Sequence, residues 1–177
     1  MEFLGRHYLV YQQPLEIPIF IMLGLLPLGA VGIVMSALAL LRGRTPPLQT
    51  QAFALAGCAA ICGSAVNDLI LKPLFGRIGV NEFFFQPRRY GFALLSGDFD
   101  SAFPSGHAVI AVAFLMVLAL LYPRWRFFHA GLLTAVLVSL LISRWHFPAD
   151  LAAGAFVGAT AAFVTLATAR RFTRPGF

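Results

Sequence analysis

The chain has 177 residues, of which 59% are hydrophobic and only 11% are charged, and its mean hydropathy is +0.82. Globular proteins average about 45–50% apolar and about 25% charged residues, so this composition excludes an ordinary soluble domain, and it disfavours a nucleic-acid module or a disordered chain. At about 20 residues per spanning helix, the length holds five or six membrane crossings. We therefore predict one membrane domain over residues 1–177, with the lipid bilayer as a partner and no nucleic acid.

Five apolar runs predict the helices. The first run, residues 17–41, carries no charge and is too long for the apolar core of a signal peptide, so we expect an uncleaved helix. The second run, residues 52–71, has Asp68 near its end. Three more runs follow, at residues 102–122, 127–142 and 151–169. The last run has small residues on one face, Gly154 and Gly158 among them, which predicts close packing against another helix. The predicted fold class is all-α integral membrane, a bundle of five transmembrane helices.

The connections between these helices are short except for one long loop, residues 73–101, where function is most expected. Alternating crossings place seven arginines on one side of the membrane without an acidic residue, and by the positive-inside rule that side is cytoplasmic. The loop is then extracytoplasmic, as is the N-terminus, and we expect an inner (cytoplasmic) membrane protein with its site facing the periplasm or outside. The seven arginines are Arg42, Arg44, Arg124, Arg126, Arg170, Arg171 and Arg174.

Three polar segments are predicted to meet on the extracytoplasmic side. The first holds Asp68 and Lys72, spaced i, i+4, which by themselves predict an interfacial ion pair. The second, residues 103–107, reads F-P-S-G-H and begins the third helix, where free backbone N–H groups favour an anion. In the third, His146 and Asp150 are again four residues apart, so the carboxylate can accept a hydrogen bond from one imidazole nitrogen and orient His146 as a nucleophile.

Fixed cations around two histidines fit phosphoryl transfer, because positive groups stabilise the charge on the equatorial oxygens in the transition state. Lys72, Arg77 and Arg144 are the candidates for this role. Clustered carboxylates for magnesium and a zinc-type ligand triad are missing from the pattern, so we expect neither a metal nor another cofactor. Two cysteines, Cys58 and Cys62, fit buried free thiols better than a disulfide or a metal site.

These segments resemble the type 2 phosphatidic acid phosphatase family, whose pattern is K-x6-R-P, then P-S-G-H, then S-R-x5-H-x3-D. The second element matches fully at residues 104–107. In the third element only Trp145 separates Arg144 from His146, where the family has five residues. In the first element Lys72 matches, but Gly79 stands where the family has arginine. The resemblance covers roughly residues 68–158.

The resemblance implies a role for each matching residue. His146 attacks phosphorus, Asp150 orients His146, and His107 protonates the leaving oxygen. The phosphate is held by a cradle whose members are Lys72, Arg77, Ser105, Gly106 and Arg144. Arg77 enters this set on its position five residues after Lys72; Arg88 and Arg89 are the alternatives for the missing arginine.

The implied activity is metal-independent hydrolysis of a membrane lipid phosphate or diphosphate through a phosphohistidine intermediate. Two alternatives stay open at this point: a lipid-to-lipid phosphotransferase of the same family, and a catalytically degenerate membrane scaffold or transporter subunit. The sequence leaves undecided which lipid is the substrate, which pathway the protein serves and what its oligomeric state is. Aromatic residues of the long loop are candidates for contact with the lipid headgroup or for a structural aromatic belt; they are Phe83, Phe84, Phe85, Tyr90, Phe92 and Phe99.

Overall fold

The computed structural model describes residues 24–80, 91–98 and 101–172, and every structural statement below refers to them. This part of the chain forms five long helices and no β-strand; its single bridge of strand type joins Arg77 to Phe92. The all-helical class predicted from the sequence is therefore confirmed. The helices are α1 (Leu25–Leu41), α2 (Leu48–Phe75), α3 (Gly106–Leu121), α4 (Arg126–Ile142) and α5 (Pro148–Phe172).

Three helical segments of the described chain are long and apolar enough to cross a membrane. They are α2, α4 with the 3₁₀ turn that precedes it, and α5, with 28, 20 and 24 residues in their apolar spans. The helices α1 and α3 are also apolar but are shorter, with 17 and 16 residues. Membrane association follows from these helices, while the five-crossing topology stays a prediction. Residues 17–23 of the predicted first helix lie outside the described residues.

Helix boundaries differ from the apolar runs because local capping chemistry sets them. The second helix begins at Leu48 and continues to Phe75, where Gly76 ends it with a left-handed φ of 51°. The third begins at Gly106 rather than at residue 102, since the Ser105 side chain caps its first turn. The fifth begins at Pro148, in a first-turn position that proline favours.

Small residues allow the helices to approach closely, as predicted for the fifth helix. A Cβ atom built on Gly154 would lie 2.5 Å from the carbonyl oxygen of Ser105, and one on Gly158 would lie 2.6 Å from that of Val109. Gly29 of α1 and Gly57 of α2 cross in the same way. Small residues at such crossings are the usual means of packing helices in a membrane. The helix α3 thereby packs against α5 along its N-terminal half.

One turn of α2 departs from regular α-helix. Residues Asn67–Leu71 form a π-helical turn, and the α-helix resumes at Lys72 for one more turn. Such turns are rare and are frequent at functional sites, because the extra residue redirects the side chains that follow. The turn contains Asp68 and directly precedes Lys72, so it sets the direction of the predicted first polar segment.

The described parts of the long loop fold back onto the end of α2. The backbone N–H of Leu95 donates to Leu74 O at 2.7 Å, and that of Ala102 donates to Arg77 O at 2.8 Å. The loop is therefore held against the bundle end that also carries the α4–α5 turn. Part of the predicted active-site loop, including Arg88 and Arg89, lies outside the described residues.

Candidate active site

Two histidines face each other at this end of the bundle. His107 lies in the first turn of α3, and His146 lies in the turn between α4 and α5. Their ring centroids are 5.8 Å apart with an angle of 60° between the ring planes. The ring of Trp145 contacts His107 edge-on at 5.5 Å. The fold thus brings the second and third predicted segments together.

The first predicted segment reaches the same place through Lys72. Its ammonium lies 2.9 Å from Asp68 Oδ1, so the predicted ion pair is formed. A Cβ atom built on Gly106 would lie 3.8 Å from Lys72 Nζ and 3.6 Å from Asp68 Oδ1. A cation, a glycine backbone and two imidazoles therefore surround one small space.

The N-terminus of α3 faces this space. The first N–H groups of a helix have no partner within the helix, and they form the positive end of its dipole. Ser105 is fully buried, and its Oγ accepts a hydrogen bond from the N–H of Ala108 at 3.3 Å. Its backbone N–H donates to Asp150 O at 3.1 Å. Ser105 thus fixes the turn and leaves the backbone of Gly106 beside Lys72, where an anion is favoured.

Asp150 is fully buried and is held by groups other than the predicted one. Its Oδ1 lies 2.6 Å from Arg77 Nη1, and its Oδ2 accepts from the backbone N–H of Phe147 at 2.8 Å. Oδ2 is 3.8 Å from His146 Nδ1, which is too long for a hydrogen bond. The predicted hydrogen bond between Asp150 and His146 is therefore not formed. The carboxylate still faces Nδ1, a buried nitrogen without a hydrogen-bond partner within the described chain.

Arg77 has an ion-pair partner that the sequence did not predict. The sequence indicated a phosphate ligand next to Lys72, whereas the structure buries the guanidinium against Asp150, with 5% of the residue exposed. The physical reason is that a fully buried carboxylate requires a partner cation, and Arg77 is within reach once the loop folds back.

Arg144 occupies the tight turn that ends α4. It is exposed and has a left-handed φ of 56°, which is uncommon for a residue with a side chain. Its N–H donates to Leu141 O at 3.0 Å, and the N–H of Trp145 donates to Leu140 O at 3.2 Å. This turn places His146 directly after the end of α4, so the short spacing between Arg144 and His146 is accommodated by a backbone reversal.

Asn67 is a site residue that the sequence analysis missed. It is fully buried in the π-helical turn of α2, and its Nδ2 donates to Pro104 O at 3.3 Å and to Asp68 Oδ1 at 3.2 Å. It therefore joins α2 to the turn before α3. The available signal was an amide in an apolar run, which membrane helices tolerate only where it has a structural or functional role.

The donor set of the site suits an anion. Across residues 24–80, 91–98 and 101–172 there is no group of three histidine, cysteine or carboxylate side chains placed to hold a metal ion. Lysine, imidazoles and a helix N-terminus can hold and transfer a phosphoryl group.

The two cysteines are free, but Cys62 is exposed and Cys58 is only partly buried, so the prediction of buried thiols was wrong.

An apolar helical bundle that carries paired histidines beside a lysine and a helix N-terminus has the features of a membrane phosphoryl-transfer enzyme. The comparison with protein families agrees with this description: residues 20–174 match the model of the PAP2 superfamily. The chain belongs to the PAP2 superfamily, whose members are generally phosphatases, so the family resemblance drawn from its motifs is confirmed. Comparisons with curated proteins and with solved structures gave no match.

Proposed function

We propose that the protein is a metal-independent lipid phosphatase, which hydrolyses a lipid phosphate or diphosphate at the extracytoplasmic face through a phosphohistidine intermediate. The observation that carries this proposal is the pair of facing imidazoles, His107 and His146, with centroids 5.8 Å apart. One of them lies beside a buried carboxylate and the other begins the helix whose N-terminus adjoins Lys72. Two imidazoles in unlike surroundings can divide the roles of nucleophile and acid.

In the first step, Nε2 of His146 forms a bond to phosphorus as the bond to the leaving oxygen breaks. Nε2 is the attacking nitrogen because Nδ1 is buried and faces Asp150. His107 donates its proton to the leaving oxygen, which departs as the lipid alcohol or as a lipid monophosphate. In the second step, water attacks the phosphohistidine and gives a proton to His107. Inorganic phosphate leaves and His146 is neutral again.

The phosphoryl oxygens are held by Lys72, by the backbone N–H of Gly106 and by Arg144. Lys72 is paired with Asp68 at 2.9 Å, so the incoming phosphate competes with this carboxylate for the ammonium. The hydroxyl of Ser105 retains a proton to donate, although its oxygen accepts the capping bond from Ala108. The helix dipole of α3 adds to the attraction for the anion.

A lipid substrate is supported by the position of the site at the end of an apolar bundle. The histidines lie at the end opposite the turns that carry Arg42, Arg44, Arg124 and Arg126, which the positive-inside rule assigns to the cytoplasm. A lipid in the outer leaflet would place its headgroup at the level of the histidines while its acyl tails stay in the hydrocarbon. The membrane does not concentrate a water-soluble phosphate ester at the site in this way.

The test is phosphate release by the purified protein in detergent with EDTA present. The panel contains phosphatidic acid, phosphatidylglycerol phosphate, undecaprenyl diphosphate, a lipid A phosphate and the water-soluble p-nitrophenyl phosphate. We expect EDTA-resistant release from at least one lipid, faster than from the soluble ester, and none from His146→Ala. Release that depends on a metal, or none from any lipid, would contradict the proposal. Transfer to an added acceptor lipid instead of to water would favour the phosphotransferase.

A further inference from the structure

The Arg77 side chain is enclosed on several sides. Its guanidinium makes the ion pair with Asp150, and its Cζ lies 4.4 Å from the ring centroid of Phe147 and 5.1 Å from that of Phe92. Phe147 directly follows His146 in the chain. The guanidinium therefore contacts the turn that carries the proposed nucleophile, and aromatic rings limit its movement.

The backbone of Arg77 is fixed as well. Its N–H donates to Ser101 Oγ at 2.8 Å, and its carbonyl accepts from the N–H of Ala102 at 2.8 Å. A bridge with Phe92 holds it from another part of the loop. A residue anchored at both ends of its side chain has little freedom to move to a different ligand.

The charges explain why Arg77 stays on Asp150. The carboxylate is fully buried, and taking away one partner of such a pair leaves an uncompensated charge in a medium of low dielectric constant. If Arg77 moved to the substrate phosphate, the buried carboxylate of Asp150 would lose its ion pair and keep the hydrogen bond from the N–H of Phe147. Lys72, by contrast, is paired with an Asp68 side chain that is 44% exposed, so water can replace the lysine when phosphate binds.

We propose that Arg77 is a positioning residue that acts through Asp150, and that it does not bind the substrate phosphate. It holds Oδ1 of the carboxylate so that Oδ2 faces Nδ1 of His146, and through Phe147 it also packs against the turn that bears this histidine. This inference rests on the proposed function, and it replaces the expectation that Arg77 completes the phosphate cradle.

A double-mutant cycle tests this role, with a phosphate ligand as the matched control. Arg77→Met, Asp150→Asn and the double variant are compared by kcat, KM and inhibition by vanadate. Loss of an orienting carboxylate lowers kcat by up to about 10⁴-fold in hydrolases that use an Asp–His pair, which sets the scale for Asp150→Asn. We expect Arg77→Met to lower kcat by a large part of that factor, while KM and vanadate inhibition change little. In a protein that already carries Asp150→Asn, the added Arg77→Met should lower kcat little further.

Lys72→Met is the control that removes a proposed phosphate ligand. It should raise KM and weaken vanadate inhibition. The size of both changes should be similar whether position 150 carries Asp or Asn. If Arg77→Met behaves in this way, or if its effect multiplies fully with that of Asp150→Asn, the positioning role is overturned and Arg77 is a phosphate ligand.

Two further measurements cover the case in which Arg77→Met does not fold. Arg77→Lys keeps the cation and should lower kcat with an unchanged KM. The double variant should fold where Arg77→Met does not, because Asn at position 150 needs no partner cation. An inactive wild-type protein on every lipid would contradict the proposed function alone. In that case the same three variants are compared by thermal unfolding. If the losses of Tm in the two single variants add strictly in the double variant, Arg77 and Asp150 do not stabilise each other, and the pairing is overturned.

Discussion

Gly106 leaves a space beside the ammonium of Lys72, since a Cβ atom on Gly106 would lie 3.8 Å from Lys72 Nζ and 3.6 Å from Asp68 Oδ1. These are ordinary van der Waals distances, so the folded protein can accept a methyl group there. The same methyl group would occupy part of the volume proposed for the phosphate. A substitution of Gly106 by alanine can therefore impair phosphate binding without impairing folding.

We accordingly expect Gly106→Ala to keep the thermal stability of the wild type while kcat/KM for the lipid substrate falls by about tenfold, equivalent to about 1.4 kcal/mol of lost transition-state binding. The matched control is Gly131→Ala, because a Cβ on Gly131 has no neighbour within 4 Å. Steady-state kinetics and thermal unfolding in detergent provide the measurements. Full activity of Gly106→Ala would place the phosphate elsewhere.

Removal of either histidine of the facing pair should stop turnover without unfolding the protein. His146→Ala takes away the nucleophile and with it the covalent route, and His107→Ala leaves a poor leaving group without its proton donor. His129→Ala, in the first turn of α4 at the opposite end of the bundle, is the control and should retain activity. Acid-labile phosphate on the protein after a rapid quench should be present in the wild type and absent from His146→Ala. More than a few per cent of wild-type activity in His146→Ala would exclude it as the nucleophile.

The orientation in the membrane can be measured by cysteine labelling. In a background without Cys58 and Cys62, a cysteine at the exposed position Asp98 should react with a membrane-impermeant thiol reagent added to intact cells. A cysteine at the exposed position Arg124 should react only after the membrane is permeabilised, because the arginine-rich turns are predicted to be cytoplasmic. Reversed labelling would turn the site towards the cytoplasm and change the lipids available to it.

Gly154 is expected to be essential for stability rather than for chemistry. A Cβ at this position would lie 2.5 Å from Ser105 O and 2.9 Å from Ala108 Cβ, so any larger residue must separate α5 from α3. We expect Gly154→Val to lose about 1–3 kcal/mol of stability, as overpacked cores do, and to displace the turn that carries Asp150. Thermal unfolding compared with Gly131→Val measures the effect. An unchanged Tm in Gly154→Val would mean that this crossing is looser than the structure describes.

The sequence by itself determined the features that depend on local composition and short spacing. Apolar runs indicated helices because hydrocarbon requires internally bonded backbone, and the i, i+4 spacing of Asp68 and Lys72 was sufficient to predict their ion pair. The motif around Ser105 and His107 indicated an anion site at a helix N-terminus, and small residues on α5 indicated a close helix crossing.

Only the tertiary structure decided which cation pairs with the buried carboxylate of Asp150. Arg77 and Asp150 are separated by 73 positions along the chain, and no periodicity connects them. The loop folds back onto the end of α2 where Arg77 lies, and the buried carboxylate of Asp150 pairs with this enclosed cation. Spacing predicts contacts within a helix because the helix fixes that geometry; the partner of a buried charge depends on burial, which exists only after the helices have packed.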